Sequence, residues 1–161
     1  PGHQDSLLRT EYAIKALTDG GVEVERLARD TANWNRAQAS ARTSQWIKDY
    51  GDQIEVILSN NDDMALGAID ALKETGREPD SWPLIVGVDA TAPAREAVEA
   101  GQLYGTVLND SRGQAQAMLA LSLALYAGDD PAQAVELEDG HYVWLPYQQV
   151  TRENLSLLPA D

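Results

Sequence analysis

Five short islands hold most of the side chains able to do chemistry. They are Pro1-Gly2-His3-Gln4-Asp5 with Arg9 one helical turn on, Asp30-Thr31-Ala32-Asn33-Trp34, Ser59-Asn60-Asn61-Asp62, Gly87-Val88-Asp89 and Val107-Leu108-Asn109-Asp110. Their side chains are planar and polar (Asp, Asn, Arg, His), with a single Trp among them. Planar groups make paired hydrogen bonds and an indole covers a CH-lined face, so the set suits a polyhydroxylated ring. It suits catalysis poorly. No activated nucleophile accompanies it, and nothing resembles a phosphate-binding Gly-rich loop or a GxSxG elbow. His3 and His141 are the only histidines and Cys is absent. A histidine-based metal site, thiolate chemistry and Cys-based zinc sites therefore have no support.

Most islands end a predicted strand and open a predicted helix. Leu8, Tyr12, Ala13, Ala16 and Leu17 give Asp5 to Asp19 a helical spacing, and Gly20-Gly21 stops it. Val22 to Leu27 alternates in the β manner. Asn35 to Tyr50 is a second helix with Ala37, Ala41, Trp46 and Ile47 toward a sheet. Ile54 to Leu58 reads as a strand covered on both faces. Asp62 to Thr75 reads as a helix capped by Asp62 or Asp63 and ended at Gly76. Strands at Leu84–Val88 and Leu103–Leu108 flank a short helix from Ala92 to Ala100. A helix from Ser111 to Tyr126 closes at Gly128, and Tyr142 to Leu145 is a late strand. The alternation predicts an α/β fold with a parallel, doubly wound sheet, whose strand C-termini collect the islands at one edge.

The 161 residues suffice for one sizeable core or for one lobe of something larger. A net charge of −14 excludes the basic footprint of a nucleic-acid binder and opposes docking on anionic membranes. The longest apolar run, Ala115 to Ala127, is shorter than the ~18 residues of a membrane span and reads as a buried helix. The first element is a helix with no strand ahead of it. Pro1 is no initiator Met, so the expectation is a chain whose first strand and any signal peptide lie upstream.

In order along the chain, the PGHxD…R start, DTAxW, the block IEVILSNNDDMALGAIDALK, GVDA, GxLxGTVLND and the late LPY cover nearly its whole length. Together they resemble the C-terminal half of periplasmic sugar-binding proteins of ABC importers, nearest the galactose/glucose-binding branch. The resemblance implies a type I periplasmic-binding-protein lobe, incomplete here, of a hinged, non-enzymatic receptor that closes on a monosaccharide. It implies His3, Asp5, Arg9, Trp34, Asn61, Asp89 and Asn109 as ligand contacts. It also implies residues 1–109 as the sugar-binding lobe lacking its first strand, and 110–140 as part of an absent N-terminal lobe. Residues 141–161 are then the return strand and tail. Glu55 matches the carboxylate this lobe gives to the family's calcium site, whose main loop is absent. Implied partners are the ABC transporter membrane permease and a chemoreceptor, in the periplasm. Gln4 departs from the proline expected in that branch and loosens the local loop.

Each residue also has a plainer reading. Trp34 is a core anchor about as often as a stacking platform on pattern alone, and Trp46, Trp82 and Trp144 read as structural. Asp5 and Arg9 form an i,i+4 surface pair worth ~0.3–0.5 kcal/mol, or a donor–acceptor pair facing hydroxyls. Asn61 and Asp89 double as caps, Asp110 reads as a cap beside a ligand-facing Asn109, and Glu55 is either exposed at an edge or metal-bound. The rival class is the ligand-sensing domain of a cytoplasmic sugar-responsive transcription regulator, which shares the two-lobed fold. Self-association follows if the apolar face of helix 111–126 is left uncovered.

Overall fold

The structure is a computed structural model and describes residues 2–158. Its helices are α1 (Gln4–Asp19), α2 (Arg36–Tyr50), α3 (Asp62–Lys73), α4 (Ala92–Glu99) and α5 (Ser111–Ala127). Its strands are β1 (Val56–Leu58), β2 (Leu84–Val86), β3 (Gly105–Leu108) and β4 (Gln148–Thr151), hydrogen-bonded in the order β1-β2-β3-β4. β1 and β2 pair in parallel with Ile57 opposite Ile85, and β2 pairs in parallel with β3. This is the α/β fold with parallel strands that the alternation predicts.

The core lies where α3 and α4 meet the sheet. Ile57, Leu66, Ile69, Leu72, Ile85, Val98 and Leu103 form one buried cluster, with Ile47, Ile54 and Trp82 packed on its rim. α3 supplies most of it because Ala65, Leu66, Ala68, Ile69, Ala71 and Leu72 recur at helical spacing. α2 packs closely on α3 through Gly67, where a Cβ would overlap the Arg36 carbonyl oxygen. A bidentate pair from Arg36 to Asp70 (2.6 and 2.7 Å) ties the same two helices.

Several expectations need correction. Residues 22–30 join no strand, and Val22 and Val24 are exposed. A cavity of about 1030 Å³ separates them from β1, lined by Leu7, Ile14, Leu17, Val24, Trp46 and Val56 among others. An alternating pattern makes a strand only where a ladder partner lies alongside, and here none does. α1 faces the same cavity and buries no residue. β1 is covered on one face only: Ile57 is buried while Val56 and Leu58 are exposed. In α2 the buried residues are Ala39 and Thr43, not Ala37 and Ala41. The late strand is Gln148–Thr151 rather than Tyr142–Leu145, anchored by the fully buried Val150.

The chain divides into two compact units, one of residues 1–107 with 149–161 and one of 108–148. The second holds α5. Its apolar run is no buried helix: only Ala124 is buried, and Met118, Leu119, Leu123 and Leu125 are exposed. Trp144, expected to be structural, is also exposed.

Candidate functional site

Local chemistry places each site residue. Asn61 caps α3, its Oδ1 accepting the Met64 N–H at 3.0 Å, so the cap is Asn61 rather than Asp62 or Asp63. One lone pair of that oxygen is thereby used. Trp34 stands on a turn in which it and Asn33 both have positive φ (59° and 50°). The turn is closed by Asn35 N–H donating to Ala32 O and leads directly into α2. Left-handed backbone is uncommon for a bulky residue, and such conformations cluster at functional sites.

Arg9 is the hub. Its Nη1 donates to the Asn60 carbonyl oxygen at 2.8 Å, fixing α1 against the β1–α3 turn. The Asn60 side chain returns the tie, donating to Thr10 Oγ1 (2.8 Å) and Ser6 O (3.1 Å). Around the guanidinium stand Asp5 at 3.9 Å, Asp89 at 3.7 Å and the Trp34 ring at 5.9 Å. The His3 imidazole meets the Trp34 ring edge-on at 5.5 Å. Both carboxylates thus sit at ion-pair rather than hydrogen-bond distance from Arg9. Fork donors, acceptor-only carboxylates and an indole within one small region match hydroxyls, which both donate and accept.

Of the predicted ligand residues, His3, Asp5, Arg9, Trp34 and Asp89 are brought together through these contacts. Asn61 lies one residue after the carbonyl that holds Arg9. Asn109 belongs to the second unit, where its Oδ1 accepts from Gln114 Nε2 at 2.8 Å. Asp110 caps α5 by accepting the Gly113 N–H, as expected. Glu55 precedes β1 and is exposed. Among the described residues no three His, Asp or Glu side chains gather as a metal site. A calcium ion takes 6–8 oxygens, and one exposed carboxylate does not meet that demand.

Sequence reasoning missed two groups. Asn60, which docks α1, was hidden among neighbouring Asx residues. Asp62 is fully buried, with Oδ1 accepting from Thr106 Oγ1 (2.6 Å) and Oδ2 from Thr91 N (2.8 Å). Burial pushes its carboxyl up to about 6, against the opposing pull of those hydrogen bonds; the nearby Asp89 charge adds to the rise. The one available signal was Gly87, where a Cβ would overlap Asp62 Oδ1.

Residues 1–130 match the Periplasmic binding protein domain family. The chain is 41% identical over 158 residues to the D-galactose/methyl-galactoside binding periplasmic protein MglB of Haemophilus influenzae, covering 96% of this chain and 46% of that protein. A solute binding protein of an ABC transporter from Bacillus halodurans, solved with bound myo-inositol, is 32% identical. It has a TM-score of 0.75 and covers 97% of this chain and 50% of that one. The periplasmic solute binding protein from Actinobacillus succinogenes with bound D-allose shares the fold at a TM-score of 0.83 and 23% identity. It covers 98% of this chain and 52% of that one. The chain thus spans about half the length of the relatives it matches.

Proposed function

The chain belongs to the periplasmic binding protein domain family, and from that premise we propose that it binds a monosaccharide, galactose- or glucose-like. It does so as part of the periplasmic substrate-binding component of an ABC sugar import system, and not as an enzyme. The observation that carries this reading is the setting of Arg9, with Trp34, Asp5 and Asp89 around one guanidinium beside the β1–α3 turn. Galactoside in one relative and myo-inositol in another are both ligands rich in ring hydroxyls, which supports the same choice.

On this reading Trp34 covers a CH-lined face of the ring, contributing roughly 25 cal/mol per Å² of apolar area removed from water. Arg9 donates to adjacent hydroxyls, Asp5 and Asp89 accept from them, and His3 and Asn61 complete the polar shell. Residues 110–140 then carry α5 for a second lobe, which the exposure of its Leu and Met side chains supports. Binding is coupled to closure of two lobes, and the sugar shifts that equilibrium by its differential affinity for the closed form. The closed shape is what the transporter permease, and a chemoreceptor, would recognise. The regulator reading is not favoured, because the relatives found are periplasmic binding proteins.

Calorimetric titration with D-galactose, D-glucose and myo-inositol, beside a Trp34→Ala variant, tests the proposal. Saturable heat that the variant loses supports a sugar site at Trp34. Absence of binding to all three by the folded protein overturns it.

A further inference from the structure

Asp89 stands on an unusual stretch of backbone. Asp89 and Ala90 both have positive φ (119° and 54°), a region that non-glycine residues avoid. Four hydrogen bonds hold it. Asp62 N–H donates to Val88 O, and Asp89 N–H donates to Val107 O, each at 2.8 Å. Ala90 N–H donates to Thr106 Oγ1 at 3.3 Å, and Thr91 N–H donates to Asp62 Oδ2 at 2.8 Å. Thr106 Oγ1 in turn donates to Asp62 Oδ1 at 2.6 Å. One buried carboxylate and one buried hydroxyl therefore terminate the chain of donors that shapes residues 88–91. Asp62 has no exposed surface and Thr106 only 3%, so neither reaches a ligand. Gly87 completes the arrangement, since any side chain there would occupy the space of Asp62 Oδ1.

We propose that Asp62 and Thr106 form a buried clamp that positions the Asp89 carboxylate toward Arg9, and that they are positioning residues of the sugar site without touching its ligand. The inference rests on the sugar-binding reading above. A charged acceptor suits the task because it takes two donors at once without offering a proton of its own. The clamp acts on the Asp89 segment and not on His3 or Trp34, which other elements place.

The test is a double-mutant cycle on D-galactose affinity, measured by calorimetry on the full chain. Asp62→Asn and Thr106→Val each remove one part of the clamp with little change of volume, and the second serves if the first does not fold. Each is combined with Asp89→Asn and, separately, with His3→Ala. The expected result is about a tenfold loss of affinity from either clamp variant in the parent chain. The loss shrinks to less than about twofold in the Asp89→Asn background and stays near tenfold in the His3→Ala background. A clamp that merely supports the fold weakens binding by the same factor in both backgrounds, and that outcome overturns the inference. Unaltered affinity in both clamp variants overturns it too. A parent chain that binds no sugar overturns the functional reading itself.

Discussion

Titration of Asp62 links the clamp to a measurable stability. Burial raises its carboxyl from the ordinary 3.8 to about 6 in the folded protein. Between those values the folded chain holds a proton that the unfolded chain has released, so rising pH favours unfolding. The contribution is full stability below about pH 4, progressive loss up to about pH 6, and no further change above. The shift corresponds to about 3 kcal/mol. Other carboxylates titrate in the same range, so the effect is isolated by comparison with Asp62→Asn, which has no proton to lose there. Urea unfolding of both proteins from pH 4 to pH 8 is the assay. With a slope of about 2 kcal/mol per molar urea, the midpoint of the variant should rise relative to the parent by ~1.5 M across that range. The sign is specific: the substitution costs most at low pH, where the parent carboxyl is neutral, and least above pH 6. A midpoint difference that stays flat with pH refutes the argument, because it means that the folded environment of Asp62 costs its charge nothing.

Three further outcomes follow from the packing and the site. Gly67→Ala gains about 1 kcal/mol of helix propensity but drives a Cβ into the Arg36 carbonyl of α2. Backbone in a packed helix yields little, so net destabilisation of about 1–3 kcal/mol is expected in urea unfolding; a stabilised variant contradicts the close α2–α3 contact. Arg9→Lys keeps the charge and loses the fork that reaches Asn60 O. It should weaken D-galactose binding about tenfold or more while moving stability by less than about 1 kcal/mol, as calorimetry and urea unfolding will tell. The exposed Met118, Leu119, Leu123 and Leu125 of α5 predict self-association. Light scattering should show the mass rising with concentration and Leu119→Glu should suppress the rise; a monomer at high concentration contradicts it.

The sequence by itself determined what local chemistry can determine. The five helices were legible to within a few residues because caps and glycines mark their ends: Asn35 and Asp110 cap α2 and α5, and Gly128 closes α5 in the left-handed region. Three of the site islands were legible because they stand at the ends of β1, β2 and β3, and sheet topology sends strand C-termini to one edge, whichever residues fill the core. What depended on distant partners was not legible. Residues 22–27 carry a strand pattern, yet a strand exists only when another backbone lies alongside, and a cavity lies there instead. Gln148–Thr151 carries almost no pattern, yet it joins the sheet beside β3. Tertiary structure likewise turned Asp62 from a candidate cap into a buried acceptor, because Thr106, 44 residues further along the chain, supplies its proton donor. A carboxylate enters the interior only when such partners are already assembled, and assembly is a property of the folded chain rather than of any segment of it.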